Sequence, residues 1–161
     1  MLVIKINQSV KQIVYRNDYF DIVAIEKNNR IIFTNAGTTG IHILITDGYY
    51  TTGNAFATSY WNTSSCIFGR AINDNSGNTG QVSKTRLLTT VLQHEMGHLM
   101  GLVDQGSPVQ QNHKDADNGA HCSNSDCLMY YAIETDASII GNGIPTLDND
   151  CRNDLKANGG K

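Results

Sequence analysis

His94-Glu95-Met96-Gly97-His98-Leu99-Met100-Gly101-Leu102-Val103-Asp104 is the stretch on which the reading of this chain turns. It contains H-E-x-x-H, then Gly three residues after the second His and Asp three further on. Residues four apart on a helix share a face, so His94 and His98 can present both imidazoles to one metal ion. Glu95 sits one step round the helix, poorly placed as a ligand but well placed to take a proton from water at that ion. Two neutral nitrogens and one free carboxylate are what a zinc hydrolase requires.

The flanking residues predict a helix over 85–100. Leu87, Leu88, Val91, Leu92, Met96, Leu99 and Met100 surround it rather than forming one stripe, which is the pattern of a helix buried on most sides. Ser83 is a suitable N-cap, and Gly101 can take the positive φ that stops a helix. Gly97 costs about 1 kcal/mol relative to Ala inside a helix, and a segment packed close to the backbone would explain it. Beyond Gly101 the chain can double back, which makes Asp104 the first candidate for a third metal ligand. His121 is the second candidate. His113, with Asp115 as a partner that could orient it, is the third.

Residues 94–104 resemble the extended signature of the metzincin clan of zinc metallopeptidases, H-E-x-x-H-x-x-G-x-x-H/D, with Asp in the third position as in its snapalysin-like branch. Cys127-Leu128-Met129-Tyr130-Tyr131 resembles the clan's Met-turn, and His121-Cys122-x4-Cys127-x-Met129 resembles a portion of archaemetzincins. In archaemetzincins that His follows the helix directly and is the third ligand; here sixteen residues separate Asp104 from His121, and the family's later C-x-x-C is absent. The resemblance covers residues 83–131. It implies a catalytic Zn2+, a floor of Met129 beneath the histidines, and Tyr131, two residues past Met129, as the tyrosine that approaches the metal. It also implies that Gly53-Asn54-Ala55-Phe56-Ala57 forms the edge strand along the cleft, where an extended peptide adds through Ala55, Phe56 and Ala57. The chain then reads as a zinc endopeptidase in which a water activated by the ion attacks the peptide carbonyl and Glu95 is the general base. The other readings are an archaemetzincin-like intracellular aminopeptidase and a zinc-stabilised binding module without catalysis.

Composition narrows the classes. The chain has 161 residues, net charge −3 and pI ≈ 5.9, so no basic surface recommends nucleic acid, and no apolar run approaches the ~20 residues of a membrane span. A protein or peptide substrate and a monomer are expected. Four cysteines allow two bridges, Cys122–Cys127 across a four-residue loop and Cys66–Cys151. Two bridges imply an oxidising compartment, hence a secreted, periplasmic or cell-surface protein whose leader has been removed, with the cytoplasm as the alternative. Cys122 and Cys127 as holders of a second zinc is the rival reading, set aside because four thiolates at the usual spacing are not seen.

The layout reads as α+β in one catalytic domain, 1–161. An upper part, 1–101, carries a mixed sheet and the active-site helix. A lower part, 102–161, is irregular and ends in a helix. Strands are expected at Leu2-Val3-Ile4-Lys5-Ile6, Ile22-Val23-Ala24-Ile25, Arg30-Ile31-Ile32-Phe33, Ile41-His42-Ile43-Leu44-Ile45 and Cys66-Ile67-Phe68-Gly69-Arg70-Ala71-Ile72. Residues 9–18 could be helix or strand. Residues 73–80 are a polar loop whose oxygens could hold Ca2+, although a plain loop fits better. A terminal helix is expected within 145–160, with Thr146 or Asp148 at its start and Asn158-Gly159 as its stop.

Overall fold

Asp18 starts the first helix. Its carboxylate accepts from the Asp21 amide at 2.9 Å, and the Asp21 carboxylate accepts back from the Asp18 amide at 3.1 Å. This reciprocal cap satisfies two amides at once and opens α1, Tyr19–Asn29. Ile22-Val23-Ala24-Ile25, expected as a strand, therefore lies in a helix. Ile22, Ile25 and Glu26 are buried along it at helical spacing, and a four-residue apolar run cannot by itself distinguish strand from buried helix.

The structure is a computed structural model that describes residues 2–7, 16–140 and 143–160. Most of the segment 9–18, open between helix and strand in the sequence, lies outside the described residues. The remaining elements are β1 (Leu2–Asn7), β2 (Arg16–Asn17), β3 (Thr39–Thr46), β4 (Tyr49–Tyr50), β5 (Ala57–Tyr60), β6 (Ser64–Phe68), α2 (Gly69–Asp74), α3 (Lys84–Leu99), α4 (Ala137–Ile140) and α5 (Asn149–Ala157). The α+β class holds. Two compact units divide the chain, Met1–Asn75 and Ser76–Lys161, so α3 belongs with the C-terminal residues rather than with the sheet.

In the first unit the strand order is β1-β3-β6-β5, with β1, β3 and β6 parallel and β5 antiparallel at the edge. The β3 run is almost wholly buried, as its unbroken apolar stretch foretells. No strand forms over Arg30-Ile31-Ile32-Phe33. Arg30 caps the end of α1, and its guanidinium donates to Glu26 at 2.6 Å, to Ser64 Oγ at 3.0 Å and to the Gly40 carbonyl at 2.9 Å. Ile31 and Phe33 are exposed. The expected strand from Cys66 to Ile72 is half strand and half helix, because the chain turns at Gly69, where a Cβ would stand 2.7 Å from the Thr46 carbonyl oxygen. Ile22, Ile25, Leu44, Cys66, Phe68 and Ala71 form this unit's core.

The second unit is built on α3. Ser83 caps it by accepting from the Arg86 amide at 3.2 Å, and Gly101, at φ +84°, ends it. Asp148 caps α5 by accepting from the Cys151 amide at 2.9 Å. Leu102, Val103, Cys122, Cys127, Met129 and Cys151 form the core here. No helix among the described residues is long and apolar enough to cross a membrane.

Because Asp18 satisfies a helix-end amide and receives one in return, Asp18→Ala should cost about 1 kcal/mol of stability. A chemical-denaturation midpoint equal to wild type would show that the cap contributes nothing.

Candidate metal centre

Burial of one face of α3 sets the site. Leu87 and Val91 are buried, and His94 continues their stripe inward at 4% exposure. Its Nδ1 lies 2.7 Å from the Leu128 carbonyl oxygen. A carbonyl can only accept, so Nδ1 carries the proton and Nε2 keeps its lone pair. That Nε2 is 3.1 Å from Nε2 of His98, one turn on. His121 joins them from the loop. Its Nδ1 donates to the Asn118 carbonyl at 2.7 Å, and its ring lies 5.3 Å from His94 and 5.2 Å from His98 between centroids. One ligand atom from each of the three lies within 4.8 Å of the others, so His94, His98 and His121 could hold a metal ion together.

Desolvation makes the pair on α3 ready to coordinate. Burial lowers His94 from 6.5 to about 4. Burial first, then the neighbouring His94 and His121 rings, lowers His98 to about 3. Both are therefore neutral near pH 7, the form that binds metal. Glu95, the next residue after His94, is buried at 7% exposure.

Met129 is fully buried, and a Cβ on Gly97 would run into its sulfur. The glycine inside α3 thus has the reason expected of it: the Met129 side chain occupies the space of the missing methyl. Leu128 and Met129 are in this way pressed onto α3 beside both histidines.

Of the three candidates for a third ligand, the structure brings His121 to His94 and His98, and not Asp104 or His113. Leu102 and Val103 turn into the core, and the left-handed backbone at Val103 (φ +55°) and Asp104 (φ +67°) carries the next side chain outward. The Asp104 carboxylate is 58% exposed and accepts from Lys114 Nζ at 3.2 Å. His121 comes to the two helix histidines because residues 105–120 fold compactly. The Asp115 amide donates to the His121 carbonyl at 2.8 Å, and the Asp115 carboxylate accepts from Asn118 Nδ2 at 2.8 Å. The Asn118 side chain, and then the Asp117 amide at 2.9 Å, hold the Asp115 carboxyl below its usual range. Asp115 is therefore not the partner of His113. His113 is buried elsewhere, with Nε2 2.8 Å from Asp154 Oδ2.

Tyr131 is 48% exposed, its ring 4.8 Å from that of Tyr130. Phe56 and Ala57 lead into and begin the edge strand β5, where the Phe56 carbonyl accepts from the Phe68 amide at 2.8 Å and Ala57 pairs with Ile67. Ala55 precedes the strand. Residues 73–80 span the end of α2 and the turn after it.

All four cysteines are free and buried, so neither expected disulfide is formed. Cys66 packs in the core of the first unit. Cys122, Cys127 and Cys151 instead gather with Asp148 into a second group that could hold a metal ion. Cys127 Sγ and Cys151 Sγ are 3.6 Å apart, well beyond the ~2.05 Å of a disulfide. The Cys151 contact holds the Cys127 thiol down at about 6, helped by the Asp148 and Met129 amides that point at its sulfur. Burial pushes the Cys122 thiol up to about 12. Sequence reasoning missed this group because it looked for closely spaced cysteine pairs. The available signal was Asp148-x-x-Cys151 at the start of a capped helix, which brings a third thiol to Cys122 and Cys127.

Two measurements follow. His121→Ala should lower zinc affinity by orders of magnitude while Asp104→Ala leaves it nearly intact; isothermal titration giving the opposite order would restore Asp104. The second concerns acid. In EDTA-treated protein the unfolded chain takes up protons at His94 and His98 near pH 6.5, whereas the folded chain resists until about 4 and 3. Their contribution to stability is fully present above pH 6.5 and is lost as pH falls toward those values. Melting temperature should drop between pH 7 and 5, and the slope should flatten in His94→Gln/His98→Gln. Equal slopes in the two proteins would contradict the burial argument.

No protein-family model, no curated protein and no solved structure matches the chain, so its chemistry must be argued from this geometry.

Proposed function

We propose that this chain is a zinc metallopeptidase of metzincin type that hydrolyses peptide bonds, with Glu95 as general base. The observation that carries the reading is the three-histidine group, with the buried Glu95 following His94 on the helix that bears two of the three. The donor set fits the ion: three imidazoles, two of them fixed by backbone carbonyls, leave a tetrahedral metal one open position. A bound zinc supplies a Lewis acid that polarises a carbonyl and acidifies water.

The protein's own part is positional and protolytic. Leu128 and Asn118 fix the tautomers of His94 and His121, so their Nε2 lone pairs stay directed inward. Glu95 removes the proton from the attacking water and returns it to the departing amine nitrogen. A pocket of about 60 Å³, lined by Leu87, Thr90, Leu128, Ile133, Glu134 and Pro145 among others, shares α3 and Leu128 with the histidine site. It suits a modest apolar side chain next to the scissile bond. Tyr131, half exposed two residues past Met129, is the proposed donor to the developing oxyanion.

The place of His121 favours the archaemetzincin-like variant of this reading over the snapalysin-like one. That His is followed at once by Cys122, as in the resemblance, with residues 105–120 inserted before it. A purely structural zinc module has no use for Glu95 in this position.

Glu95→Ala should retain zinc in full yet lose on the order of 10²–10⁴-fold in peptide cleavage. Undiminished hydrolysis of casein or of a quenched peptide by the variant would remove the catalytic assignment. Paired substrates with free and acetylated N-termini tell aminopeptidase from endopeptidase, since only an endopeptidase cleaves both equally.

A further inference from the structure

The chain that leads into His121 folds back as a narrow hairpin. The Ser123 amide donates to the His113 carbonyl at 2.8 Å, and the Asp115 amide donates to the His121 carbonyl at 2.8 Å. Lys114 and Cys122 face each other between these bonds. On the other edge, the Cys122 amide donates to the Met129 carbonyl at 2.8 Å. The backbone beside His121 is therefore fixed, but a fixed backbone does not choose where an imidazole points. The hairpin closes through Ala116-Asp117-Asn118-Gly119-Ala120, which has no apolar side chain larger than a methyl. Burial cannot shape such a loop, so its hydrogen bonds must. The Asp115 carboxylate supplies them. Oδ1 accepts from the Asp117 amide at 2.9 Å and the Asn118 amide at 3.2 Å, and Oδ2 accepts from Asn118 Nδ2 at 2.8 Å. Gly119, at φ +73°, then turns the chain back. So held, the Asn118 carbonyl accepts from His121 Nδ1 at 2.7 Å.

We propose that Asp115 is the positioning residue for His121, a role that rests on His121 being a metal ligand in the reading above. Three hydrogen bonds to one carboxylate fix Asn118, and the Asn118 carbonyl fixes the His121 ring. A carbonyl only accepts, so Nδ1 carries the proton and Nε2 keeps the lone pair that a metal needs. His94 receives the same service from the Leu128 carbonyl, with α3 holding its backbone. His121 has no helix behind it, and the carboxylate of Asp115 stands in for one. Both oxygens of that carboxylate are engaged by the loop, so Asp115 acts through Asn118 and is not itself a ligand. Its contribution is pre-organisation: a ring already held in one tautomer and one direction loses less freedom when an ion binds it.

Histidine side-chain 15N NMR on the EDTA-treated full chain, repeated with zinc added against a competing chelator, reads tautomer and affinity together. The His121 signal is assigned by its loss in His121→Ala. Without metal, wild-type His121 should be a single Nδ1–H tautomer, and zinc should shift its Nε2. Asp115→Ala should turn the metal-free ring into a mixture of tautomers and weaken zinc binding at the histidine centre by about 10–100-fold. Asp115→Asn keeps an oxygen for the two backbone amides and should recover the single tautomer and most of the affinity. In a His121→Ala background, Asp115→Ala should change the remaining zinc binding by less than about 2-fold, because a residue that acts through another has no effect once that partner is gone. The inference is overturned if Asp115→Ala keeps the single tautomer and wild-type affinity. It is equally overturned if the substitution costs as much without His121 as with it, since that marks general damage to the loop. Zinc that leaves the wild-type His94, His98 and His121 signals unmoved overturns the metal reading and this inference with it, whereas the two preceding outcomes overturn this inference alone.

Discussion

The second unit depends on how closely Leu128 and Met129 approach α3. Gly97 has no side chain, and Met129 fills the space where one would stand. A glycine inside a helix costs about 1 kcal/mol relative to alanine. Here the cost is offset by burying a whole methionine against the backbone, worth roughly 1.5–3 kcal/mol. The contact also brings the Leu128 carbonyl to 2.7 Å from His94 Nδ1, which fixes that ring. The Cys122 amide then donates to the Met129 carbonyl at 2.8 Å, and His121 is one residue away. One close packing contact thereby sets a helix-borne histidine directly and a loop-borne histidine through the Cys122–Met129 hydrogen bond beside it.

The same burial governs protonation. Imidazoles removed from water hold protons poorly, so His94 and His98 stay neutral well below the usual histidine range. Charge repulsion among three converging rings adds to this at His98. The neighbouring thiols follow another rule: a buried sulfur remains a thiol unless something stabilises its charge, and two amides with a third cysteine do so at Cys127.

What the sequence made legible was local. Ser83 and Gly101 bound α3 to within a residue of the expected span, and Asp148 starts the terminal helix as its chemistry requires. The β3 run was legible because a strand buried along its length reads as continuous apolar residues. Residues 22–25 were misread because the deciding information lay outside the run, in the reciprocal bonds between Asp18 and Asp21. The cysteines were misread for a related reason. Pairing arithmetic considers bonds between thiols, whereas Cys122, Cys127 and Cys151 are drawn together by α5 and by the loop that ends at Met129.

Asp104 and His121 show where motif reasoning reaches its physical limit. Spacing on a helix fixes direction, since every residue adds the same rotation, and so the shared face of His94 and His98 was legible. Past Gly101 that regularity ends, and each residue's φ is chosen by what must be buried. Leu102 and Val103 are both wholly buried, which a single extended or helical step cannot achieve while also turning Asp104 inward. The chain instead takes left-handed φ at Val103, a conformation that costs a β-branched residue of order 1–3 kcal/mol and that burial of the two side chains offsets. The carboxylate is thrown out to Lys114 as a consequence. Six residues of register after His98 identify a position along the chain, but hydrophobic burial decides which way that position faces. His121 instead comes to the helix histidines, its ring held by the Asn118 carbonyl three residues earlier.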